Sequence, residues 1–321
     1  MTEGVLDRVR KRCREVAEEA IHVRIEESRI SAYAAAIAAA RLTLPQMDPS
    51  SHFLGREEGT VAFFLTLDAI NFGSGYFPEL SKRPGRSGYY TIAVSLNDYF
   101  QAYGPLDPRE LVALTAIDCA RIFGQDVAKP AAGELMGLFA RALNGLGEEL
   151  LRRFDGSFLR LVEAAGGSAE RLVALLAGMP LFNDGALHLG GWVPFLKRAQ
   201  LAAADLFIAF DGRGPGRFED IDRLTICADN LVPHVLRHDG LLRYDEALAG
   251  RIARGEPISA GSPEEVEMRA CAVQVGELLV AALRPRIPRI NAMLLDNFLW
   301  HRGHRPEYRK EPRHRTRTVF Y

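Results

Sequence analysis

The chain has no surplus of charge of either sign: its 321 residues carry 40 Lys and Arg against 41 Asp and Glu, a net charge of −1. Gripping a long polyanion needs a broad positive field, so this balance argues against a stable nucleic-acid partner. Cysteine is sparse as well. Cys13, Cys119, Cys227 and Cys271 stand far apart without a CxxC pair, which argues against a zinc site or a disulfide framework and for a reducing, cytoplasmic setting. No apolar run reaches the roughly 20 residues that span a bilayer, and the start MTEGVLDRVRKRCREVAEEA reads as a charged helix rather than a signal peptide. No membrane partner is expected.

Common catalytic signatures are missing too. There is no HExxH or other tight metal-ligand spacing and no GxSxG elbow, and the glycines of DGRGPGRF at Asp211 to Phe218 match neither a P-loop nor GxGxxG in a strand-turn-helix context. They read as a structural turn, and no metal or organic cofactor is implied. Strand-type alternation is scarce, and no repeat of 30 to 50 residues recurs, which weakens a solenoid reading.

What is present is helix in series. Apolar spacing predicts helices over Val5–Ala20, Ile25–Leu42, Glu57–Phe72, Ala131–Arg153, Phe158–Ala165, Ala169–Leu176 and Asp245–Ala253. In LDPRELVALTAIDCARIFG, Asp107 is the N-cap, Pro108 the first helical residue and Gly124 the stop of a single helix. Ser262 and Glu265 form a capping box, and Pro288 stands near another helix start. Tyr89 to Phe100 fits a strand or a helix. Phe182 to Gly191 reads as a loop, and Trp192 to Gly212 as one long buried helix. The expected fold is mainly α, a single helical domain over 1–321 with few or no strands, or two intimate lobes with a boundary near 180–190.

Two acids stand where acids need a reason. Asp229 lies in LTICADNLVPHVL and either caps the helix that follows or accepts donors from a ligand. Asp296 sits inside a helix among Met293, Leu294, Leu295, Phe298, Leu299 and Trp300, where caps do not occur, and is otherwise explained only by an exposed face. Asp68 and Asn71 are three apart and share a face, with a structural hydrogen bond as the simpler role for the acid. His52 is either a loop histidine or a ligand contact. For an anionic group the cations are Lys197 and Arg198, or the tail residues His314, Arg315 and Arg317.

With these residues in view, the chain resembles the queuosine salvage family, the queuosine 5′-phosphate N-glycosylases (hydrolases) of eukaryotes and some bacteria. The likeness covers most of the chain. It rests on DAINF at Asp68 to Phe72, FNDGA at Phe182 to Ala186, LKRAQ at Leu196 to Gln200 and FDGRGPGRFEDIDRLTICADNLVP at Phe210 to Pro233. VEMRA at Val266 to Ala270, LDNFLW at Leu295 to Trp300 and HRTRTVFY at His314 to Tyr321 complete it.

The resemblance implies a mainly helical fold similar to DNA glycosylases and hydrolysis of the bond between ribose 5′-phosphate and queuine, a 7-deazaguanine base. It places Asp296 as nucleophile or transition-state stabiliser and Asp229, with Cys227, Ala228 and Asn230, on the base. His52 matches a base-contacting histidine, and Asp68, Asn71, Asp184, Lys197 and His301 are further substrate contacts. The chain departs from the family pattern at Cys227, where an aromatic is common, at Asn230, Leu231 and His234, which replace an aromatic, an arginine and a glutamine, and at His301, where an acid often stands. Two alternatives remain: a non-catalytic helical protein of glycosylase-like fold that binds tRNA or other nucleic acid, and a helical scaffold whose buried acids are structural.

Overall fold

The computed structural model describes residues 3–40 and 42–321. Helices dominate them as expected, and the named strands form only two short two-stranded antiparallel sheets. The chain folds into two compact units, each assembled from separated segments. Among the described residues no helix is long and apolar enough to cross a membrane.

The first unit comprises Met1–Pro45, Asp184–Gln200 and Asp220–Arg317. Its axis is the helix Pro263–Leu283, with buried residues on every side, including Val266, Ala270, Val273, Leu279 and Leu283. An apolar stripe on Val5–Glu19, formed by Leu6, Val9, Cys13 and Val16, packs against it, as do Ile30–Ala39, Val232–His238 and Ala292–Gly303. Glycine permits two of these approaches: a Cβ on Gly276 would lie 2.8 Å from Ile226 Cγ2, and one on Gly303 2.4 Å from Leu231 Cδ1.

Several sequence expectations change here. The predicted Ile25–Leu42 helix is shorter, Ile30–Ala39, because Val23–Ile25 pairs with Leu242–Tyr244 as a strand; Arg41 of that prediction lies outside the described residues. The expected loop at Phe182–Gly191 and the first residues of the expected long helix form a hairpin instead, Gly185–His188 against Gly191–Pro194. Leu189 at φ +48° and Gly190 at φ +69° make its turn, and both left-handed residues suit the twist of a two-residue hairpin loop. The long helix therefore starts only at Lys197 and runs to Ala209. Ser262 caps its helix through Glu265 N, while the Glu265 carboxylate reaches Gly261 N rather than the cap residue's own amide.

The second unit comprises Gln46–Asn183, Leu201–Glu219 and Thr318–Tyr321. Pro130–Arg153 packs here against Glu57–Ala69, Pro108–Ala113 and Ala116–Phe123, and edge-to-face rings fill the core, Phe63 with Phe64 at 5.3 Å and Phe72 with Phe139 at 5.2 Å. The single helix expected across Asp107–Gly124 is two, because Leu114 turns extended and Thr115 opens a new capping box with Asp118. Tyr89–Phe100 resolves as helix, within Gly88–Tyr103. The glycine-rich stretch is a turn, with Gly214–Gly216 as a 3-10 helix; a Cβ on Gly216 would fall 2.3 Å from the Leu206 carbonyl oxygen.

Candidate active site

Asp296 is the fifth residue of the helix Ala292–Gly303, whose start is fixed by Asn291 capping Leu294 N. Its Oδ1 accepts the backbone N–H of Cys227 at 2.7 Å. Burial pushes its carboxyl up to about 7, the Asp229 charge adds to the rise, and the Cys227 N–H and the Lys197 charge oppose it. The surrounding residues thus hold this carboxyl at the edge of ionisation near neutral pH, which makes it a candidate functional group.

Cys227, Ala228, Asp229 and Asn230 lie outside helix and strand and form a wall that meets that helix through Cys227 N. Asp229 does cap, since its Oδ1 accepts Leu231 N at 2.6 Å and Val232 N at 3.1 Å, turning the chain into the helix Val232–His238. Among the described residues its Oδ2 makes no hydrogen bond. Sequence offered capping and ligand binding as alternatives for this acid, and the capping bonds are formed through Oδ1 alone.

Lys197 opens the helix Lys197–Ala209, and its carbonyl oxygen accepts the Cys227 thiol at 3.8 Å. It follows Leu196, a buried residue held at φ +53° in the left-handed region. Asp184 holds this turn: its carbonyl oxygen accepts Phe195 N at 2.9 Å and Leu196 N at 3.2 Å, and its Oδ2 accepts Lys197 N at 3.0 Å. Gln200 joins the turn to the segment just ahead of Cys227, donating to Phe195 O and Thr225 Oγ1 at 2.9 Å and accepting Thr225 N at 2.7 Å. Lys197 and Arg198 are both buried, which brings two cations into the interior.

Asp184 itself is 1% exposed and its carboxylate is occupied by Arg269, with Nη1 to Oδ1 at 2.9 Å and Nη2 to Oδ2 at 2.7 Å. The carboxylate expected to contact substrate is thus bonded within the protein. Sequence reasoning passed over Arg269, which is also 1% exposed, because an arginine in a helix ordinarily reads as surface.

The remaining expected residues divide by unit. In the first, His301 is exposed and Arg317 is exposed, while Arg315 is partly buried and its carbonyl accepts Ile258 N at 2.8 Å. His314 is buried and its ring is pushed down to about 3, chiefly by desolvation and then by the charges of Arg269 and its neighbours. His234 is buried too, and its Nε2 donates to the Tyr308 carbonyl at 2.7 Å, a structural use of one departure from the family pattern.

In the second unit, His52 is buried with its Nδ1 on the Asp48 carbonyl at 3.1 Å, its Nε2 on the Tyr89 hydroxyl at 3.1 Å and its ring stacked on Phe64 at 5.7 Å. Burial lowers its proton affinity, so it acts as a neutral ring. Asp68 is fully buried there and accepts Asn71 Nδ2 at 3.2 Å; its charge and that of Asp205, after burial, raise the Tyr89 phenol. A polar groove of about 620 Å³ along Val23–Ile25 is lined by none of the candidate residues.

Comparison with known proteins identifies the family. The family described as "Queuosine salvage protein" matches residues 51–321, which contain all the candidate residues. A protein of Sphaerobacter thermophilus named queuosine 5′-phosphate N-glycosylase/hydrolase is 39% identical over 99% of this chain and 98% of its own length. Proteins of the same name from Mus musculus and Bos taurus are 33% and 31% identical, each over 83% of both chains. The chain belongs to the queuosine salvage family.

Proposed function

We infer that this protein hydrolyses the N-glycosidic bond of queuosine 5′-phosphate and releases queuine. The observation that carries the reading is Asp296: a carboxyl lifted to about 7, fixed by the Cys227 amide, with Asp229 and Lys197 close enough to bias its charge. Breaking the bond builds positive charge on the ribose. An ionised Asp296 beneath the anomeric carbon stabilises that charge, as carboxylates do in glycosidases that pass through an oxocarbenium-like state.

The leaving base sets the second requirement. A 7-deazaguanine has carbon at position 7, so protonation there is unavailable and help must come from hydrogen bonds around the pyrimidine half of the ring. Asp229 fits this task through Oδ2, the oxygen that its capping bonds leave over. A guanine-like N1–H or amino group donates to that oxygen, whereas an adenine-like edge presents an unprotonated N1, so matched recognition contributes on the order of 1 to 3 kcal/mol in discrimination. Lys197 and Arg198 are the cations for the 5′-phosphate, with Arg315 and Arg317 of the tail as further candidates, and water completes the hydrolysis at the anomeric carbon.

The test is incubation of the purified protein with queuosine 5′-phosphate, queuosine and guanosine 5′-phosphate, following free base by chromatography. Queuine is expected from the first substrate, fastest. No base from any of the three would refute the assignment.

A further inference from the structure

The helix Pro263–Leu283 carries a charge that the reaction does not use. Arg269 and Asp184 form a bidentate ion pair in which each side chain is nearly inaccessible, 2% and 1% exposed. Removing two charges from water is expensive, and apolar residues of the same volume often stabilise a fold equally well or better, so stability alone is a weak reason for such a pair. Its hydrogen bonds point to another one. Arg269 Nε donates to the Ala228 carbonyl at 2.9 Å, in the peptide between Cys227, whose amide holds Asp296, and Asp229. Across the pair, the Asp184 carboxylate accepts the Lys197 amide, while the Asp184 backbone carbonyl accepts those of Phe195 and the left-handed Leu196.

The guanidinium also lies flat over Phe195, 3.9 Å from the ring centroid, and Nη1 is 3.6 Å from Glu265 Oε1. Nε, Nη1 and Nη2 of Arg269 are therefore all engaged, in a planar fork that lysine cannot reproduce. One ion pair joins the backbone of the wall that presents Asp229 and the Asp296 donor to the backbone turn that presents Lys197. Left-handed leucine is unfavourable by roughly 1 to 2 kcal/mol and persists only where its surroundings over-determine it, which the Asp184 bonds do.

We propose that Arg269 and Asp184 are positioning residues for the glycosidic hydrolysis, a buried brace that sets the placement of Lys197, Asp229 and the Cys227 amide around Asp296. This rests on the functional reading above but has a readout that does not. Misplacing a reacting group by about 1 Å lowers turnover by roughly 10²-fold. A brace made of bonds to backbone transmits its effect without touching substrate.

The test compares wild type with the double variant Asp184→Leu/Arg269→Met, which keeps the interior filled, and with Arg269→Lys, which keeps the charge. Thermal melting reports the fold, queuine release gives kcat and KM, and carbon-13 NMR of labelled aspartate carboxyls follows the Asp296 titration. The folded double variant is expected to lose about 10²-fold in kcat with KM changed far less. Its Asp296 midpoint should rise, because the Cys227 N–H that lowers it is displaced. Arg269→Lys should lose about tenfold and move the midpoint in the same direction, since one ammonium cannot serve Ala228 and both Asp184 oxygens; it carries the test if the double variant does not fold. Wild-type kcat in either folded variant overturns the proposal. So does an unmoved Asp296 midpoint, even alongside a lower kcat, because the loss then arises elsewhere. A wild-type protein that releases no queuine refutes the functional reading instead, and the Asp296 midpoints still decide the brace.

Discussion

The Cys227 amide donates to Asp296 Oδ1 across 2.7 Å, joining the wall that bears Asp229 to the middle of the helix Ala292–Gly303. Burial outweighs that bond and leaves the carboxyl titrating at about 7. A carboxylate that stabilises positive charge works only when ionised, so kcat should rise with pH through about 7 and level off above it. Asp296→Asn should remove this limb and lower kcat by roughly 10² to 10⁴-fold, read from queuine release between pH 5 and 9.

The two charges that bias Asp296 should move the limb in opposite directions. Asp229 raises its pKa and Lys197 lowers it. Asp229→Asn is expected to shift the limb to lower pH by up to about one unit, and Lys197→Met to shift it to higher pH while raising KM through lost phosphate contact. The measurement is the pH profile of each variant, and shifts of the same sign would contradict the assignment.

The raised Asp296 pKa also has a consequence for stability. The folded state binds this proton more tightly than the unfolded chain does, so as pH rises from 3.8 through about 7 the folded state loses stability to an ionised, desolvated carboxylate. Asp296→Asn should therefore melt higher than wild type at pH 8, by about 2 to 4 °C, and show no such advantage near pH 4. A purely structural acid would give the reverse result, a lower melting temperature at pH 8.

Gly276→Ala tests the seating of the wall. The new methyl would stand 2.8 Å from Ile226 Cγ2 and 3.1 Å from its Cγ1, so Ile226 must move and carry the neighbouring Cys227 with it. A loss of roughly 1 to 3 kcal/mol in denaturant unfolding is expected, together with a larger proportional fall in kcat than in KM.

Much of this was legible in the sequence where a local rule decides the outcome. Asp107 and Ser262 announce their helices because a capping side chain bonds to amides two or three residues away. Asp296 stands out because a carboxylate inside an apolar helix lacks a local explanation. The hairpin at Gly185–Pro194 escaped because four-residue strands are too short for alternation to show, and the break at Leu114 because only Leu114 and Thr115 separate the two helices. Arg269 and Asp184 escaped for a different reason. They are 85 positions apart, and only the folded chain makes a surface-type residue an interior one.

The Leu196 turn bears on how a ligand meets the site. Lys197 and Arg198 are buried, and the backbone that delivers them is fixed by Asp184 before any substrate arrives. A surface lysine or arginine that closes on a phosphate gives up about 0.5 to 1.5 kcal/mol of side-chain freedom in the act. Here that ordering belongs to folding rather than to association. On the function proposed above, a 5′-phosphate would enter a charge distribution already in place and leave little ordering to its own binding.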